Sequence, residues 1–82
     1  MNFDEIWGIA FSRVSAFFAS QNDVEKTGSN SFKFNNTCIE LKALPDKSLG
    51  SMRVSQTRVI IRGPEAEEIH HRFYQQFLSA GG

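Results

Sequence analysis

The sequence predicts an α+β domain in which a three-stranded antiparallel sheet carries two helices on one face, in the order α-β-β-β-α. The prediction rests on an apolar stripe of helical period near the N-terminus, on alternation of period two around residues 31–42 and 57–62, and on a return to helical period after the Gly63-Pro64 break.

The first element is read as a helix. At about 100° per residue, Phe3, Ile6, Trp7, Ala10, Phe11, Val14, Phe17 and Phe18 fall within an arc of about 140°, with Ile9 outside it. Asn2 can cap such a helix, Asp4 and Glu5 suit its first turn, and Gln21-Asn22-Asp23 can end it, which predicts a span of about residues 3–21. Its rear face gathers Gly8, Ser12, Ser15, Ala16 and Ala19, where a solvated helix more often carries Glu and Lys. Small residues let a second helix come close, so this face is the expected self-association surface.

The next stretch, S31-F32-K33-F34-N35-N36-T37-C38-I39-E40-L41-K42, alternates apolar and polar residues around an Asn-Asn pair that tolerates positive φ. It predicts a hairpin with Phe32, Phe34, Ile39 and Leu41 on one side and Lys33, Cys38, Glu40 and Lys42 on the other. Residues 45–51, opening on Pro45-Asp46, read as a loop. A third strand then runs to Arg62 through the β-branched Val59-Ile60-Ile61, placing Thr57, Val59 and Ile61 on one side and Arg58, Ile60 and Arg62 on the other. Beyond the break, Pro64 suits a first helical position and Glu65, Glu67 and Glu68 a first turn, predicting a second helix over about residues 64–79 with Ala66, Ile69, Phe73 and Phe77 inward.

The whole chain, residues 1–82, is one domain by length, and a hydrophobic fraction of 40% with eight phenylalanines suits a packed core. Its net charge is zero but unevenly spread. Residues 1–25 set Arg13 against Asp4, Glu5, Asp23 and Glu25, residues 26–62 carry seven basic and two acidic side chains, and residues 63–82 are acidic again. Cys38 is the only cysteine, which excludes an intrachain disulfide and suits a reducing, cytoplasmic setting. The apolar N-terminus carries Asp4 and Glu5 where a secretory leader is basic, and Arg13 interrupts it, so neither export by that route nor a membrane span is expected.

Three carboxylates and both histidines crowd into residues 65–71, giving Glu67/His70 and Glu68/His71 the Glu-x-x-His spacing of di-iron bundles. Such centres need further ligands from other helices, so no metal ligand set is assigned. The same residues are accounted for as a helix opening with favourable pairs Glu68/Arg72 and Glu67/His71. Cys38 is expected on the sheet face opposite the histidines, and the solvated glutamates do not make a paired acid and base, so no catalytic residue is assigned.

The best functional lead is the uncovered sheet face, with Lys33, Lys42, Arg58, Ile60 and Arg62 as expected partner-binding residues. The α-β-β-β-α order is similar to that of double-stranded-RNA-binding domains, which place a basic cluster at the start of the second helix; this chain has G63-P64-E65-A66-E67-E68 there. RNA-recognition-motif sheets stack bases on outward aromatics, whereas Phe32 and Phe34 are expected inward. The terminal Gly81-Gly82 resembles the tails of ubiquitin-like modules, which begin with a hairpin, and is read as a frayed end. The expectation is therefore a non-catalytic, intracellular interaction module of adaptor or inhibitor type that binds a protein partner, forms a homodimer and uses no cofactor. The first alternative is weak, salt-dependent nucleic-acid binding through the basic sheet face. A metal- or cysteine-dependent enzyme is the second.

Overall fold

The structure, a computed structural model, describes residues 2–79. The elements run β1 (Asn2–Trp7), α1 (Phe11–Ala19), β2 (Glu25–Lys26), β3 (Ser31–Phe34), β4 (Thr37–Leu49), β5 (Met52–Arg62) and α2 (Ala66–Tyr74), with a wider π-type turn at Gln75–Ser79. The strands form one antiparallel five-stranded sheet in the order β1-β5-β4-β3-β2. The α+β class stands, while the expected three strands become five.

The largest correction lies at the N-terminus. Residues 2–7 form a strand, not the first two turns of a helix, and they pair antiparallel with β5 from Asn2 opposite Arg62 to Trp7 opposite Thr57. Periodicity could not separate the two readings, because Phe3 and Trp7, four residues apart, share a face in either conformation. Pairing decides it: without β1, the N–H and C=O groups along the outer edge of β5 would lack partners. Gly8 consequently belongs to the connection before α1 and not to a helix face.

The second correction is the segment read as a loop. Leu44 still opposes Gln56, the register then shifts so that Lys47 opposes Val54, and the strands close at Leu49 opposite Met52. Pro45 and Asp46 together stand against the single Ser55, one residue in excess, and such an irregularity is a place where a missing N–H is tolerated. Gly50, with φ of +64°, begins the two-residue turn. At the other hairpin only Asn35 takes a positive φ, of 53°.

Beyond Thr57 the β4–β5 pair runs on as a ribbon for five residues, roughly 17 Å at about 3.4 Å per residue. The molecule is accordingly elongated, at 42 × 27 × 23 Å. Both helices pack on the face formed by Phe32, Phe34, Ile39, Leu41, Val59 and Ile61, where Val14, Phe18, Ala66, Ile69 and Phe73 complete the buried core. The four inward positions expected on the second helix are Ala66, Ile69 and Phe73, all buried, and Phe77, half-buried against the core.

The second helix starts later than expected. Pro64 and Glu65 lie in a turn, and the Ala66 N–H donates to the Gly63 carbonyl. Gly81 and Gly82 lie outside the described residues.

Candidate interaction surface

The sheet face away from the helices is built from alternate residues of all five strands, and the register orders it into rows. One row runs Glu25, Lys33, Cys38, Arg62, Asn2; the next runs Ser31, Glu40, Ile60, Asp4; a third runs Lys42, Arg58, Ile6. The four cations expected on one face therefore share it: Lys33, Lys42 and Arg62 are exposed and Arg58 half-exposed.

The face is less basic than alternation in the middle of the chain implied, because β1 and β2 bring acids to it. Asp4, expected in a helical first turn, stands beside Arg58, whose Nε donates to its carboxylate at 2.8 Å and whose terminal nitrogen completes a bidentate pair. The hydrogen bonds from Arg58 hold the Asp4 carboxyl below its ordinary value, opposed by partial desolvation and reinforced by the charges of Arg58, Arg62 and Lys42. Four cations thus share the face with Glu25, Glu40 and Asp4.

Ile60 is a correction as a contact residue. It lies on the uncovered face yet is only 3% exposed. Its neighbours there are Arg58 and Arg62 along the strand and Glu40 and Asp4 across it, and long polar side chains cover apolar surface with their stems. Around it lies a depression of about 370 Å³ lined by Thr27, Ser31, Lys33, Glu40, Ile60 and Arg62 among others.

The expected self-association face is partly retained on the shortened α1. Ser12, Ala16 and Ala19 are exposed and Ser15 half-buried, while Gly8 sits outside the helix with Val54 close by. Arg13 and Ala16 border a groove of about 340 Å³ between α1 and the C-terminal turn, closed by Phe17 and Phe77.

Sequence reading missed the ribbon as a presented element. Leu49 and Met52 are paired at its tip and are 53% and 66% exposed, and Ile6 at the ribbon's base is 60% exposed. The signal available was the pairing of two apolar residues around Gly50-Ser51, which is a hairpin turn as readily as a loop.

The histidines have separate environments. The His70 ring stacks on Phe3, with centroids 3.9 Å apart and planes within 6°, and its Nε2 lies 2.8 Å from Glu5 Oε1. The same carboxylate oxygen accepts the Trp7 indole N–H at 3.1 Å. Burial pushes the Glu5 carboxyl up, but the hydrogen bonds from His70 and Trp7 and the charge of His70 outweigh this and leave it below its usual value. His71 is exposed, and of the two expected helix pairs only Glu68 and Arg72 are joined, at 2.7 Å. Among the described residues no group of three or more His, Cys, Asp and Glu is placed to hold a metal ion. Cys38 is exposed on the open face, across the sheet from His70. No helix among the described residues is long and apolar enough to cross a membrane.

No protein-family model matches the chain, and no curated protein matches it.

Proposed function

We propose that the chain is a non-catalytic interaction module of adaptor or inhibitor type that acts inside the cell as a homodimer. The observation that carries this reading is the β4–β5 ribbon, whose tip holds Leu49 and Met52 away from the core with more than half of each residue exposed to solvent. An isolated two-stranded ribbon is at best marginally stable in water, and an apolar pair at its end costs solubility unless a partner covers it.

Two surfaces compete for the dimer contact. The outer face of α1, with Ser12, Ala16 and Ala19, allows close approach but brings little apolar area. The ribbon tip brings more, since burying a Leu or Met side chain is worth about 1.5–3 kcal/mol, and two-fold dimers are the commonest oligomers. The ribbon is therefore the proposed contact. Light scattering at micromolar concentration tests it: the native chain is expected to be a dimer, and the Leu49→Ser/Met52→Ser variant a monomer. A native monomer overturns the homodimer, and a dimer lost in Ser12→Glu but kept in the ribbon variant moves the contact to α1.

A further inference from the structure

The outer edge of the sheet is stepped. β1 covers one side of β5 from Arg62 to Thr57, and the same side of β5 is open from Met52 to Gln56. Among the described residues the outward N–H and C=O groups of β1 have no partner, since β1 pairs with β5 alone and no turn or loop bond reaches it. The opposite edge strand, β2, is only two residues long, so β1 is the longer free edge, and it lacks the lysine, proline or bulge that commonly guards one.

A step of this kind is complementary to itself. Turned about a two-fold axis perpendicular to the sheet, a second copy sets its β1 beside the open stretch of β5, while its own open stretch lies beside the first copy's β1, so one contact is made twice. Gly8 occupies the inner corner, close to Val54, and limits how far the two copies slide together. In the closest register that keeps the two Gly8 residues apart and each side chain on its own face, Ile6 of one copy stands beside Met52 of the other on the open face. On the helix face Arg53 then stands beside Trp7, two residues or about 7 Å from Glu5.

We propose that the ribbon of one chain seats on the β1 edge of a second copy, each ribbon extending the other's sheet. This contact rests on the reading of the ribbon as the homodimer surface and deepens it by naming what the ribbon docks on.

Exposure and charge select this occupant. Met52 and Ile6, at 66% and 60%, are the two most exposed large apolar residues among the described ones, and the crossed contact brings them together. β1 carries Asp4 and Glu5 and no base, whereas residues 45–55 carry Lys47 and Arg53 against the single Asp46. Contacts of like with like are disfavoured. β1 against β1 sets Asp4 opposite Asp4, or Glu5 opposite Glu5, in the two registers of greatest overlap, and tip against tip brings Lys47 and Arg53 up to their own copies. Crossing the two surfaces places unlike charges together.

The test uses Cys38→Ser chains carrying Ile6→Cys or Met52→Cys, treated with a short bismaleimide singly and as an equal mixture. All three replaced residues are exposed, so both chains are expected to keep the native circular dichroism. In the crossed dimer like positions lie about 20 Å apart, so little covalent dimer is expected from either chain alone, and a dimer holding one chain of each kind is expected from the mixture. Lys47→Gln/Arg53→Gln is expected to weaken the dimer at least about threefold, because it removes attraction between unlike charges; relief of tip-to-tip repulsion would tighten it instead. Cross-linking of Met52→Cys alone, cross-linking of Ile6→Cys alone, a dimer by light scattering that yields no mixed product, or a neutralised dimer unchanged or tighter each overturn the β1 seat while leaving the homodimer standing. A chain monomeric at micromolar concentration overturns the seat and the homodimer together.

Discussion

Thr37 and Glu65 hold each other reciprocally. The Thr37 hydroxyl donates to Glu65 Oε1 at 2.9 Å and accepts the Glu65 backbone N–H at 2.8 Å, while the Asn36 N–H donates to the same carboxylate oxygen at 3.1 Å. Thr37 is fully buried, so the turn between β3 and β4 is clipped to the lead-in of α2 by two partly buried bonds through its hydroxyl and by the exposed Asn36 bond. Glu65, which the sequence suggested as a helix-opening acid, serves this contact instead.

Thr37→Val keeps the shape and removes both hydroxyl bonds, which is expected to cost about 1–3 kcal/mol by leaving the Glu65 amide without its partner. Gly63 belongs to the same clip: its φ is +142°, and an added Cβ would come within 2.6 Å of the Thr37 backbone. Gly63→Ala is therefore expected to cost at least as much. Denaturant titration of both variants checks the order.

Glu5 makes stability depend on pH. Its folded pKa lies below the unfolded value of 4.5, so its contribution is fully present above that value and is lost as pH falls through the folded value. Asp4 and Asp23 are lowered in the same sense by Arg58 and Arg72. Melting temperature is expected to decline as pH drops below about 4.5 and to decline less steeply in Glu5→Gln. Parallel profiles for the two chains refute the role of the Glu5 and His70 pair.

Phe73 is the hub of the aromatic core. It stacks on Phe18 with planes within 8° and meets Trp7, Phe17 and Phe77 edge-on or tilted, all with centroids 4.9 to 6.0 Å away. Phe73→Ala is expected to cost about 3–5 kcal/mol, a large share of the roughly 5–15 kcal/mol that folded proteins have. Trp7→Ala is expected to cost less, because Trp7 is only half-buried. Thermal melts distinguish them; equal losses would mean that burial does not set the penalty.

The ribbon beyond Leu44 and Gln56 contributes nothing to the buried core. Replacing residues 45–55 by Asn-Gly is expected to change monomer stability by no more than about 0.5–1 kcal/mol while abolishing self-association. A trimmed chain that fails to fold would show that the ribbon supports the sheet.

The sequence by itself determined the two sides of the β3–β4 hairpin, the inward side of β5 and the inward face of α2. Each follows from a local period, since alternate side chains of a strand and those three or four apart on a helix share a face wherever the element sits. For the same reason it placed Lys33, Lys42, Arg58 and Arg62 together. That residues 2–7 are a strand follows only from long-range pairing, because the partner that makes them one is β5, fifty or more positions away, and the stripe through Phe3 and Trp7 satisfies both conformations. That single pairing moved Asp4 onto the basic face, set Glu5 against His70, took Gly8 off a helix and closed the edge of β5 around Ile60. Pairing of backbone donors and acceptors between distant strands is satisfied only in three dimensions, and it overrides a local period that two conformations share.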